Sequence, residues 1–225
     1  MKNLTILAYH KVNNTQADAL TVSGKNFISQ MEYLKNHRYN VVSLEVLAQK
    51  IKNKEVLRKN TAVITFDDGH KDNYTSAYPV LEKYGFPATI FITTSFAGKE
   101  QFLSWDEIKE MKEAGISFGS HTIEHPRLTQ VSADKAREEM LKSKEIIENE
   151  LKIPCRFFCY PYGDLNDEVK NITRECGYTA AVVTPPRRGI EEDMLCLKRV
   201  GIYYHTTMLQ FRLKLWGVYS WIKNR

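Results

Sequence analysis

Two periodicities alternate along the chain, and that alternation constrains the fold more than any other feature. Short β-branched or aromatic runs stand at Leu4–Tyr9, Ala62–Phe66, Ala88–Thr93, Ser117–Gly119, Arg156–Tyr160 and Thr179–Val183. Longer amphipathic segments separate them at Lys25–Asn36, Leu44–Ile51, Asn73–Tyr84, Trp105–Ala114, Ala133–Leu151 and Asp167–Cys176. The runs fit strands, because branched side chains pack well on a pleated surface; the segments fit helices with one apolar stripe. Ser104 with Glu107 reads as a capping box, and Ser132 as an N-cap. Gly85, Gly115 and Gly177 stand where helices should stop. Strand followed by helix, repeated, predicts an α/β fold of parallel βα units in one sheet or barrel.

With 225 residues the chain suits one domain with a sizeable core, or at most two small ones. Its 43% hydrophobic and 26% charged residues exclude a disordered chain. No apolar run reaches the roughly 18 residues that a membrane-spanning helix needs. The apolar run before His10 and Lys11 is too short for a signal peptide, so a cytoplasmic location is expected. Cys155, Cys159, Cys176 and Cys196 contain no CxxC pair, and reduced, buried thiols are expected. Six basic residues and no acidic one follow Met194, which leaves a nearly neutral body out of a formal net charge of +5. No nucleic-acid-binding module is recognisable, so no nucleic acid is expected as a partner.

The reactive residues fall just past strand ends. His10 follows the first run, Asp67 and Asp68 the second, His121 the fourth, and Pro161-Tyr162-Gly163 the fifth. Parallel barrels build their active sites at that end. In Thr65-Phe66-Asp67-Asp68-Gly69-His70, adjacent carboxylates cannot point the same way from an extended chain, so one can bind a cation while the other serves as a base. A plain Asp-Gly turn is the alternative. In Ser120-His121-Thr122-Ile123-Glu124-His125-Pro126, histidines four apart converge on one metal if the segment is a helical turn; otherwise they are surface residues. Two imidazoles and one carboxylate would leave metal positions open for water and substrate. Phe157-Phe158-Cys159-Tyr160-Pro161-Tyr162-Gly163 reads equally as a sugar-lining turn and as a core strand ending in one.

In this order the three motifs resemble the polysaccharide deacetylase family, also called NodB-homology or carbohydrate esterase 4. Thr65–Gly69 matches its TFDDG motif, Ser120–Pro126 its HSxxHP-type motif, and Tyr160–Gly163 its Pro-Tyr motif. The similarity runs from about Leu7 to about Ile202. The resemblance implies a distorted, incomplete (β/α) barrel and hydrolysis of N-acetyl groups on amino sugars of a glycan. It implies a divalent metal on Asp68, His121 and His125, Asp67 as general base, and the Tyr162 backbone N–H as an oxyanion donor. Zinc suits two imidazoles, and cobalt, nickel or iron also fit. Many members carry an arginine where this chain has Cys159, and the late histidine motif is not recognisable; His205 lacks its flanks. Tyr9-His10-Lys11-Val12 matches a subset, including poly-N-acetylglucosamine deacetylases, that draws its acid from this end, which implies His10 as the acid. Rival readings are a deformylase or amidase on the same fold, since fold does not fix substrate, and a weakened glycan-binding domain.

Residues 1–204 are expected to form the deacetylase domain, and 205–225 a basic, aromatic helix. Met208, Phe211, Leu215, Val218 and Ile222 repeat at helical spacing. Such a helix either packs on the domain or makes peripheral contact with an anionic membrane surface.

Overall fold

The computed structural model describes residues 4–14, 18–184 and 193–216. The chain opens with β1 (Leu4–Tyr9), β2 (Lys11–Val12), β3 (Thr21–Val22), α1 (Gly24–Asn36), β4 (Asn40–Val41), α2 (Leu44–Lys52) and β5 (Thr61–Phe66). A π-helical turn (Asn73–Ala77) runs into α3 (Tyr78–Tyr84), followed by β6 (Thr89–Ile92), α4 (Trp105–Glu113), β7 (Ser117–Ser120) and α5 (Ala133–Leu151). Then come β8 (Phe157–Cys159), α6 (Asp167–Glu175), β9 (Ala180–Val183), β10 (Leu197–Lys198), β11 (Val200–Gly201) and α7 (Met208–Leu215). Each expected strand and helix appears within a few residues of its expected bounds. The short pairs β2, β3, β4, β10 and β11 were not expected, because two residues carry no readable period.

The chain divides into two compact units. The first holds residues up to 66, 70–89 and those from 200 onward. Its β1 and β5 pair in parallel from Leu4↔Thr61 to Tyr9↔Phe66, with β4 also on β5 and β11 also on β1. All of β5 is buried, as a parallel strand covered on both faces must be. Tyr9 stacks on Phe66 with ring centres 5.4 Å apart, and Phe27 meets Tyr9 edge-on at 5.3 Å. The buried Tyr9 hydroxyl donates to Gln30 Oε1 at 2.8 Å, which offsets the cost of taking it out of water. The segment Asn73–Tyr84, expected as one helix, is a π turn joined to α3. Pro79 explains the break: without an N–H it cannot continue the ladder back into the preceding turn. In α7, Phe211 and Leu215 are buried, and Thr5 Oγ1 donates to the Leu215 carbonyl. Burying a side chain such as Phe211 stabilises by about 1.5–3 kcal/mol. Residues 217–225, which include Val218, Ile222, Lys223 and Arg225, lie outside the described residues.

The second unit holds residues 67–69 and 90–199. Its strands lie in the order β6-β7-β8-β9-β10. The β7–β8, β8–β9 and β9–β10 pairs are parallel, as Phe157↔Ala180 and Leu197↔Val182 illustrate. Gly119 is required in β7: a Cβ there would lie 2.7 Å from the Phe91 ring and 2.9 Å from the Phe157 carbonyl oxygen. The expected caps form, with a complete Ser104/Glu107 box on α4 and Ser132 on α5. Helix α5 buries Ala136, Met140, Ile147 and Leu151, and also the polar Glu139 and Ser143. All four cysteines are free and buried.

Candidate metal centre and active site

Three loops of the second unit, each just past the carboxyl end of a strand, build one cluster together with Arg199. Asp67-Asp68-Gly69 turns sharply, with Asp68 at φ 71° and Gly69 at φ 73°. A Cβ on Gly69 would meet Ile92 Cδ1 at 2.8 Å, so the turn needs glycine for space as well as for conformation. Past β7, His121 continues the sheet by donating its N–H to the Ile92 carbonyl at 2.9 Å. The chain then leaves the strand in a loop and not in the helical turn that the histidine spacing allowed: Thr122 and His125 both have positive φ, at 69° and 60°. The left-handed residues, not helix periodicity, bring the two rings together. Tyr162, after β8, is also left-handed at φ 57°. Such residues cost of order 1–3 kcal/mol each and persist where surrounding bonds over-determine them. One such bond runs from the His125 N–H to Thr122 Oγ1 at 3.0 Å.

The donor atoms converge. His121 Nε2 and His125 Nε2 lie 3.1 Å apart, and Asp68 Oδ1 lies 3.6 Å and 3.5 Å from them. Tetrahedral ligands at zinc–nitrogen distances of about 2.0–2.1 Å would stand about 3.3 Å apart, so the set fits a single small cation. His121 Nδ1 lies 2.7 Å from the Cys159 carbonyl. A carbonyl accepts only, so Nδ1 carries the proton and Nε2 presents its lone pair to the cluster.

Asp67 sits apart from that set although it adjoins Asp68. Arg199, just past β10, grips it with a fork: Nη1 to Oδ1 at 2.7 Å and Nη2 to Oδ2 at 2.6 Å. Both side chains are almost fully buried, at 1% and 5% exposure, so each is the other's main charge compensation. Cys159 Sγ lies 3.1 Å from Arg199 Nη2 and 3.5 Å from Asp67 Oδ1. Burial pushes the Cys159 thiol well up, which keeps it protonated and able to donate to the carboxylate. Asp67, His121 and Cys159 also lie within metal-binding reach of one another. A guanidinium on both carboxylate oxygens and a protonated thiol make that group a poor cation site beside the Asp68 set. Arg199 is the residue that sequence reasoning missed. In the sequence it is one of the six basic residues after Met194, and its distance of 132 residues from Asp67 leaves no local signal.

Tyr162 is 53% exposed, with its ring edge-on to His125 at 4.5 Å and under the Arg127 guanidinium at 4.3 Å. Its loop is anchored by Asp164, whose carboxylate accepts from the Thr129 N–H at 3.0 Å and hydroxyl at 2.7 Å. His10 belongs to the first unit, where its carbonyl accepts from Asn73 Nδ2 at 2.8 Å. His205 is exposed there, stacked 6.2 Å from Tyr203.

An arginine-held carboxylate beside a carboxylate–imidazole cluster is the equipment of a metal-dependent hydrolase. The polysaccharide deacetylase family model matches residues 54–181, which is more than half of the chain. YxkH of Bacillus subtilis strain 168 is 33% identical over 200 residues, covering 88% of this chain and 71% of YxkH. The poly-beta-1,6-N-acetyl-D-glucosamine N-deacetylase of Staphylococcus aureus is 33% identical over 172 residues; this chain spans 59% of its length. Among solved structures, the deacetylase PplD of Streptococcus pyogenes, in complex with acetate, superposes with a TM-score of 0.86 at 30% identity, over 94% of this chain and 97% of PplD. IcaB of Ammonifex degensii, at 23% identity, shares the fold with a TM-score of 0.84. The chain belongs to the polysaccharide deacetylase family, hydrolases that act on N-acetyl amide bonds. Its fold is the NodB-homology type of α/β fold that the resemblance implied. Metal dependence goes with the family, and Asp68, His121 and His125 fit a metal. No described helix is long and apolar enough to cross a membrane.

Proposed function

We propose that this chain removes acetyl groups from N-acetylglucosamine units of a glycan, with Asp68, His121 and His125 holding a divalent cation, zinc by preference. The observation that carries the reading is the convergence of Asp68 Oδ1 and two histidine Nε2 atoms within 3.1–3.6 Å, next to a carboxylate that is held away from them. When bound, the cation supplies Lewis acidity, polarising the acetyl carbonyl and acidifying a water. Asp67 takes a proton from the attacking water as general base. Arg199 holds the orientation of that carboxylate. The Tyr162 backbone N–H donates to the oxyanion, and a donor of this kind is worth on the order of 10²–10³ in rate. His10 protonates the departing amine, a task suited to an imidazole near neutral pH. The relatives support the substrate class: one is named for poly-N-acetylglucosamine, and PplD binds acetate, the acid that deacetylation releases. Within the tail, we favour packing of α7 on the domain, since Phe211 and Leu215 are buried. Exposed Leu209 and Trp216 beside Arg212 are what a peripheral membrane contact would use.

Mass spectrometry of N-acetylglucosamine oligomers tests the function. Purified protein should release one acetyl per processed sugar, a chelator should stop it, and zinc should restore it. No mass loss with zinc-, cobalt-, nickel- or iron-loaded protein would sink the proposal and leave an amidase, a deformylase or a glycan-binding domain.

A further inference from the structure

Helix α5 carries a fully buried carboxylate that the chemistry above does not use. Glu139 Oε2 accepts the backbone N–H of Ile123 and that of Glu124, both at 2.9 Å. Its other oxygen lies 2.9 Å from Lys135 Nζ, one helical turn back. Successive N–H groups beside a left-handed residue form a small anion-binding concavity. Here Thr122 is that residue, and the anion is the protein's own side chain. One turn further along α5, Ser143 Oγ lies 2.6 Å from Ser120 Oγ, which accepts the Thr122 N–H at 3.3 Å. From the other side, the N–H groups of Thr94 and Ser95 donate to the Thr122 and Ile123 carbonyls at 3.1 and 3.0 Å. The loop between the two histidines is therefore tied at nearly every backbone group, and Glu139 makes the only charge-assisted ties among those described.

We infer that Glu139 is a positioning residue for the metal centre. Its carboxylate holds the Thr122–His125 loop in the left-handed conformation that aims both Nε2 atoms at Asp68. The inference rests on the metal reading above. A charged acceptor suits the task because the loop stores unfavourable backbone conformations at Thr122 and His125, and two bonds to an ionised group offset them better than two neutral ones.

The test is the zinc dissociation constant, from competition with a chromophoric chelator, for wild type, Glu139→Asp and Glu139→Gln. Thermal melts of the metal-free proteins run alongside. Glu139→Asp keeps the charge but retracts it by one methylene, out of reach of the loop. It should weaken zinc binding by about 10–100-fold, the usual cost of losing a group that orients a metal ligand. Glu139→Gln keeps the reach and loses the charge, and should weaken binding by less, about threefold or more. A merely structural role would lower the metal-free melting temperature while the folded variants bind zinc as wild type does; that result overturns the inference. If Glu139→Asp does not fold, Glu139→Gln decides: weaker binding supports the inference, and a wild-type constant overturns it. A wild-type protein that binds no zinc would overturn the metal reading itself, and this one with it.

Discussion

Asp67 and Asp68 adjoin in sequence yet belong to different regions of the site. Asp68 is partly open, 15% exposed, and faces two imidazoles that a single loop delivers. Asp67 is buried and faces an arginine 132 residues away. The side proposed to hold the metal is built from short-range geometry: a tight turn at Gly69 and left-handed residues at Asp68, Thr122 and His125. The side proposed to supply the base is built from long-range packing, with Arg199 just past β10 and Cys159 at the end of β8. Sequence motifs can encode the first kind of arrangement in a few consecutive residues. They cannot encode the second, because the partners have no fixed spacing.

The two sides should fail differently when broken. The largest effect is expected for His121→Ala and His125→Ala, which should lose metal by elemental analysis and fall to the activity of chelated protein. Retention of full metal by both would move the centre elsewhere. Next comes Asp67→Asn: metal content near wild type, with kcat down by roughly 10²–10⁴, the span of general base catalysis. Loss of metal there would exchange the roles of the two aspartates.

His10→Ala extends the comparison to a residue of the first unit. Metal and fold should be retained. The loss of kcat on sugar amides should fall within the same span of roughly 10²–10⁴ and shrink on an activated aryl acetate, whose leaving group needs no proton. His205→Ala is the control. If that variant shows the leaving-group-dependent defect and His10→Ala does not, the acid comes from the tail side.

The smallest effect sharpens the base side. Arg199→Lys keeps a positive charge and loses the two-bond fork, so metal should stay while kcat falls on the order of tenfold. Combined with Asp67→Asn it should add almost nothing, since the arginine acts through that carboxylate. Losses that multiply in the double variant would show that Arg199 works independently of Asp67.

The amino-acid sequence by itself determined the alternation of strand and helix, the caps at Ser104 and Ser132, and the three motifs that converge in the second unit. Those features are local: side-chain shape, period and capping chemistry act over a few residues and survive without knowledge of the rest. Three things were decided only by tertiary structure. The histidines meet through a loop of left-handed residues, because a buried glutamate on α5 and the hydroxyls of Ser120 and Thr122 hold a conformation that spacing alone does not prefer. Pro79 splits one expected helix into a π turn and α3, because a missing N–H matters only once the ladder forms. And the arginine absent from the position of Cys159 is supplied by Arg199, because a buried carboxylate needs a counter-charge in space, and space, unlike the chain, does not count residues.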